Sequence, residues 1–140
     1  MIREFLLKDL DTVMKIWLDT NINAHDFISE DFWIKNFDLV KEILPKSEVY
    51  VYELENKIQG FVGISDGYIA GIFVSDDMRS KGIGKLLLGK CKDKYKNLSL
   101  SVYEKNKRAV EFYKREGFII KKEQLDENTW EKEYYMVWSE

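Results

Sequence analysis

The sequence holds one proline, one cysteine and one histidine in 140 residues. A lone Cys91 excludes an intramolecular disulfide. One Cys with one His leaves too few ligands for a Cys/His zinc site, so no metal is expected. No apolar run approaches the roughly 20 residues that span a bilayer. Arg3, Glu4, Lys8 and Asp9 interrupt the start of the chain. With no apolar stretch behind them, a signal peptide is not expected there. A basic excess is also missing: the net charge of −3 argues against sequence-independent binding of nucleic acid. No low-complexity tract, repeat or composition break divides the chain, so a single domain over residues 1–140 is expected. A cytoplasmic protein without membrane or nucleic-acid partners is expected, as a monomer or homodimer.

What is present is an ordinary globular balance, 45% hydrophobic and 34% charged, which argues against disorder. The eight Phe, eight Tyr and four Trp could build a substantial core, or a core and a pocket wall.

Ile2 to Phe5 reads as a first strand. Asp9 or Asp11 can cap a helix whose apolar stripe is Leu10, Val13, Met14, Trp17 and Leu18. Asn21 to Phe27 reads as a break. Ser29 can cap a second helix carrying Phe32, Trp33, Phe37, Val40 and Leu44, closed by Pro45. Glu48 to Leu54 and Ile58 to Ser65 are β-rich. Asp66-Gly67 is a two-residue hairpin signal. Tyr68 to Val74 is apolar without alternation, the pattern of a strand buried on both faces. Helical period returns from Ile83 to about Asn97, followed by a strand at Leu98 to Val102. A helix from about Asn106 stops at Gly117. Phe118 to Gln124 and Trp130 to Trp138 read as a final strand pair, with Trp130, Lys132, Tyr134, Met136 and Trp138 on one face. The order β-α-α-β-β-β-α-β-α-β-β describes a mixed α/β sheet with flanking helices. Tyr68 to Val102 is its parallel crossover.

One segment carries more than structure. After the Ile72-Phe73-Val74 strand comes Arg79-Ser80-Lys81-Gly82-Ile83-Gly84-Lys85, an Arg-x-x-Gly-x-Gly loop feeding a helix. The first N–H groups of a helix lack intrahelical partners and sit at the positive end of its dipole. Glycines at 82 and 84 let an anion approach the backbone. Arg79, Lys81 and Lys85 add positive charge. A nucleotide P-loop is excluded, because Leu86 follows Lys85 and no glycine stands at position 79. A dinucleotide fingerprint is excluded because Leu87 occupies the third small position. The plain alternative is a glycine turn before an amphipathic helix.

Downstream, Asn106 and Tyr113 lie seven residues apart, two turns of one helix, and share a face. With Ala109, Gly117 and Phe118 they form Asn-x-x-Ala-x-x-x-Tyr-x-x-x-Gly-Phe. In this order the two motifs resemble the Gcn5-related N-acetyltransferases (GNAT). The stretch Ala24-His25-Asp26-Phe27-Ile28-Ser29 through Trp33 is similar to a bacterial subgroup, the YiaC-type acetyltransferases. The resemblance implies a single GNAT domain: a mostly antiparallel mixed sheet around a central parallel β-α-β unit. It also implies transfer of acetyl from acetyl-CoA directly to a primary amine, on a protein lysine, an N-terminus or a small molecule.

The resemblance assigns roles as well. The backbone of Ile72, Phe73 and Val74 would pair with the pantetheine arm. Amides from Arg79 through Ser80, Lys81, Gly82, Ile83, Gly84 and Lys85 would hold the pyrophosphate. Asn106 would contact the cofactor, and Tyr113 would be the general acid for the leaving thiolate. From helix spacing alone Tyr113 is a core aromatic. An amine near pKa 10 must lose a proton before it attacks. Many relatives carry a Glu on or beside the central strands, but Ser101 stands where some of them place it, and Tyr68 to Val74 holds no carboxylate. Glu104, Asp66, His25 or water is left to serve as base. His25 lies between the first two helices, where relatives build the acceptor pocket. Acceptor binding, proton removal and a plain loop role all fit it. Phe27, Phe32 and Trp33 could line the same pocket. Cys91 reads as a buried hydrophobe. Lys90, Lys92, Lys94 and Lys96 read as a solvated face. The residues alone leave two further alternatives, a CoA-binding module without catalysis and an α/β interaction domain without a ligand.

Overall fold

The computed structural model describes all residues, 1–140. The seven strands are β1 (Ile2–Glu4), β2 (Glu48–Leu54), β3 (Lys57–Ser65), β4 (Tyr68–Val74), β5 (Asn97–Tyr103), β6 (Ile119–Leu125) and β7 (Lys132–Ser139). The helices are α1 (Leu10–Ala24), α2 (Glu30–Ile43), α3 (Ile83–Lys94) and α4 (Lys107–Arg115). One sheet runs β1-β2-β3-β4-β5-β7-β6. Every neighbouring pair is antiparallel except β4–β5. This is the expected mixed, mostly antiparallel sheet around one parallel β-α-β unit.

Local chemistry explains the boundaries. Ser29 caps α2, its hydroxyl accepting from Asp31 N–H at 3.2 Å. Asp66 and Gly67 both have positive φ, 49° and 82°, as a tight hairpin between β3 and β4 needs. Gly117 ends α4 at φ 98°. The helix α1 runs on to Ala24, through half of the expected break. Asp9 precedes it without capping it. Its carboxylate instead accepts from Leu6 N–H at 2.8 Å and from both terminal nitrogens of Arg3.

The sheet divides two apolar cores. On one face α3 and α4 bury Leu87, Leu88, Cys91, Val110 and Tyr113 against Ile64, Ile69, Leu100 and Met136. On the other α1 and α2 bury Val13, Met14, Trp17 and Trp33 against Val49, Val51 and Phe61.

Three expectations need correction. Of the β4 residues only Ile69 is buried, so this apolar strand is not covered on both faces. It carries apolar side chains because they line an open groove. Trp130 lies outside β7, at φ 61° and 75% exposed, so the shared face begins at Lys132. The left-handed residue breaks the alternation before the strand starts. Lys92 and Lys94 are not merely solvated. Lys92 Nζ donates to the Glu116 carbonyl at 2.6 Å, tying α3 to the end of α4. Lys94 pairs with Glu48 at 2.7 Å.

Candidate active site

β4 and β5 pair only at Tyr68↔Ser99 and Ile69↔Leu100. Beyond these residues the two strands part. On its other side β4 stays paired with β3, through Ile72↔Val62, Phe73↔Phe61 and Val74↔Gly60. The backbone of β4 facing the gap therefore has no ladder partner. It can take an extended ligand as an added strand.

A cavity of about 600 Å³ opens over this gap. That volume lies within the range of small-molecule sites. Ile72, Phe73 and Val74 are among its lining residues. Thr20, Asn21, Ala24 and His25 of the α1 end form one wall, and Asn106, Ala109, Phe112 and Tyr113 form the other. Across one end runs the segment from Arg79 to Lys85. The residues expected to bind the cofactor all line this cavity except Lys81, which stands exposed beside it, and His25 lines it as well; Asp66, Glu104, Phe27, Phe32 and Trp33 do not.

The loop geometry suits a phosphate. Gly82 precedes α3 at φ 83°, a conformation that a side chain would strain, and no side chain caps the helix. The first N–H groups of α3 thus remain free for a ligand. A Cβ built on Gly82 meets nothing within 4 Å, so the approach to the backbone is open. Arg79, Lys85, Arg108 and Arg115 line the cavity, with Asp76 and Glu116 as the acidic members. Arg108 donates to the Ser80 hydroxyl at 2.7 Å, fixing the loop to α4. Asn23 donates to Asp76, fixing α1 to the segment after β4. Sequence reasoning missed Arg108 and Arg115. Arg108 falls on the first turn of α4, two residues after Asn106, and that position was the available signal.

Tyr113 lies at the bottom of the groove. Its ring packs edge-on against Phe112 and Phe118, with centroids at 5.2 and 5.6 Å. The only buried side-chain nitrogen or oxygen without a partner is Trp33 Nε1. The Tyr113 hydroxyl has no partner in the protein either, so it must be open to the groove. Burial pushes this phenol well above its ordinary value, and Cys91 adds to the shift. It therefore carries its proton throughout the physiological range. Cys91 is fully buried and its thiol is pushed up to about 11, chiefly by burial and then by Glu48, so it is no nucleophile.

The candidate bases are placed very differently. Asp66 sits in the β3–β4 hairpin, at the opposite end of β4 from the cavity. Glu104 accepts from Tyr134 at 2.9 Å and pairs with Lys132 at 3.0 Å; these partners, Lys132 first, hold it below the usual carboxylate range. His25 lines the cavity, but both of its ring nitrogens have partners in the protein: Nδ1 lies 3.0 Å from the Asn21 carbonyl and Nε2 lies 3.3 Å from Asn106 Nδ2. Phe27 and Trp33 pack on His25 at 5.6 and 5.1 Å rather than lining this cavity.

Known proteins share this arrangement. The model of the Acetyltransferase (GNAT) domain family matches residues 22–134. The chain belongs to the GNAT acetyltransferases. Peptidyl-lysine N-acetyltransferase YiaC of Escherichia coli (strain K12) is 34% identical over 122 residues, covering 86% of this chain and 84% of that protein. The solution structure of apo YjaB from Escherichia coli superposes with a TM-score of 0.88 at 26% identity, covering 99% of this chain and 96% of that one. PaiA N-acetyltransferase from Thermoplasma acidophilum, solved with coenzyme A, shares the fold with a TM-score of 0.82 at 18% identity, covering 100% and 98%. The resemblance seen in the two motifs thus extends to the family and the fold, and the protein is an N-acetyltransferase. No three His, Cys, Asp or Glu side chains come together as a metal site, and no helix is long and apolar enough to cross a membrane.

Proposed function

We propose that this GNAT enzyme acetylates lysine side chains of peptides or proteins from acetyl-CoA, in the cytoplasm and as one domain spanning residues 1–140. The observation that carries the reading is the parting of β4 and β5 beside a free helix N-terminus, with the Tyr113 hydroxyl open to the same groove. The names of YiaC and of YjaB, which is 30% identical over 79% of this chain, support lysine as the acceptor.

The residues divide the work. Backbone amides from Arg79 to Lys85, Lys81 included, hold the pyrophosphate. Arg79, Lys85 and Arg108 supply countercharge. Ile72, Phe73 and Val74 give their free backbone groups to the pantetheine arm. Asn106 contacts the cofactor on the α4 side. Acetyl-CoA supplies the thioester whose acyl carbon the neutral amine attacks. Tyr113 holds a proton at its hydroxyl and passes it to the departing sulfur. With Glu104 paired, Asp66 remote and His25 bonded on both nitrogens, water takes the proton from the amine. No step requires a metal.

A thiol-release assay with several amine acceptors tests the substrate class. Lysyl peptides should turn over with higher kcat/KM than peptides offering only an α-amine, or than polyamines. Turnover of small amines alone would overturn the assignment to lysine.

A further inference from the structure

His25 closes the end of the groove in a way that fixes its own protonation. Asn106 is the N-cap of α4, and its side-chain oxygen accepts from Ala109 N–H at 3.4 Å. That contact identifies the other arm of the amide as the nitrogen. This Nδ2 lies 3.3 Å from His25 Nε2. An amide nitrogen only donates, so Nε2 must be the unprotonated ring atom. The proton of neutral His25 is then on Nδ1, where it meets the Asn21 carbonyl at 3.0 Å. The chain Ala109–Asn106–His25–Asn21 therefore runs in one direction, with every donor and acceptor matched.

The surroundings favour the neutral ring. Trp33 of α2 stacks on it at 5.1 Å, while Phe27 and Tyr103 of β5 meet it edge-on at 5.6 and 5.3 Å. Burial lowers the His25 pKa, only partly opposed by the Asn21 carbonyl. The charged and titratable groups nearby are turned elsewhere. The Tyr103 hydroxyl donates to Asp126, and Lys105 Nζ rests over Phe27 at 5.6 Å and pairs with Glu131. No carboxylate reaches the ring to hold an imidazolium.

We propose that His25 is a positioning residue: as its Nδ1–H tautomer it clamps Asn106, joining the end of α1 to the start of α4 across the cofactor groove. The clamp sets the spacing of the two walls. It also fixes the first turn of α4, from which Tyr113 projects two turns further along the same face. A base would act on the acceptor amine and leave acetyl-CoA binding alone. A clamp acts on the cofactor groove, so its loss weakens acetyl-CoA binding before any acceptor is present. The identity of the ligand rests on the proposed function; the tautomer does not.

Nitrogen-15 NMR of the ligand-free protein tests the clamp first. His25 is the only histidine, so one imidazole pattern is seen. A protonated Nδ1 and a bare Nε2 at neutral pH are expected; an Nε2–H ring overturns the clamp whatever the enzyme acetylates. Calorimetry with acetyl-CoA follows. His25→Ala should raise Kd by about tenfold and Asn106→Ala by at least as much, since Asn106 also contacts the cofactor; the double variant should lose no more than Asn106→Ala alone. Additive losses overturn the clamp. His25→Gln offers an amide oxygen to Asn106 and should restore affinity to within about threefold of wild type. Unchanged affinity in a folded His25→Ala overturns the clamp. If the wild-type protein shows the expected tautomer but binds no acetyl-CoA, the proposed function fails and the clamp stands.

Discussion

Ile69 and Leu100 are the last residues at which β4 and β5 pair, although both strands continue, β4 to Val74 and β5 to Tyr103. The ladder is lost in mid-strand, before the chain leaves β4 at Val74 to cross over to the parallel β5. Such crossings require a helical connection, here α3, and open α/β sheets take ligands at the carboxyl ends of parted strands. One irregularity in pairing therefore supplies a groove, free backbone groups and a neighbouring helix N-terminus together.

The anion end of that groove is testable at Gly84. A Cβ there would sit 3.6 Å from Phe112 Cζ, an ordinary contact, so the fold tolerates a small side chain. Gly84→Ala should melt near the wild-type temperature. Gly84→Asp places a carboxylate on the first turn of α3, where the pyrophosphate is held. By calorimetry its affinity for acetyl-CoA should fall on the order of 100-fold, from charge repulsion and lost space. Wild-type affinity in Gly84→Asp would remove the loop from the site.

Tyr113→Phe deletes one hydroxyl and leaves the ring against Phe112 and Phe118. If this phenol protonates the leaving sulfur, kcat should drop by roughly 10² to 10⁴-fold. The dissociation constant for acetyl-CoA should hardly change. Equal turnover in both proteins would reduce Tyr113 to a packing role.

The pH–rate profile separates water from a protein base. With water as acceptor, log kcat/KM for a lysyl peptide should climb with a slope near one toward the amine pKa of about 10.4. A histidine base would instead bend the profile below the ordinary imidazole value of 6.5, because burial lowers the His25 pKa. A plateau beginning at that bend would return proton removal to His25.

Stability carries its own pH signature at Asp9, which is only 5% exposed and bridges to Arg3. The Arg3 hydrogen bonds outweigh burial and hold Asp9 below its ordinary 3.8. A depressed carboxylate stabilises the fold above its unfolded pKa and loses that contribution as pH falls through the folded value. Asp9→Asn should cost about 3 kcal/mol in denaturant unfolding at pH 7, since it leaves Arg3 underpaired. The gap to wild type should shrink below pH 3.8. A constant gap across that window would contradict the pairing.

Much of the site is local, which is why it was legible in the sequence. The Gly82 turn, the Asn106 cap, the Gly117 stop and the Asp66-Gly67 hairpin are each set by a residue and its immediate neighbours. The element order followed from the same signals. The parting of β4 and β5 is a tertiary event, and nothing in Tyr68 to Val74 distinguishes a groove floor from a strand covered on both faces. His25 could be singled out by its rarity, but its partner lies 81 residues away on another helix. Periodicity does not report contacts at that separation. Arg108 and Lys92 were obscured for a related reason: long basic side chains read as solvated until the fold gives them Ser80 and the Glu116 carbonyl.

Tandem mass spectrometry of a lysyl peptide incubated with the enzyme and acetyl-CoA tests the central claim most directly. One acetyl group should appear on the lysine ε-amine with the wild-type protein, and its rate of formation should collapse with both Gly84→Asp and Tyr113→Phe. A peptide left unmodified by wild type, or acetylated equally fast by all three proteins, would contradict the account.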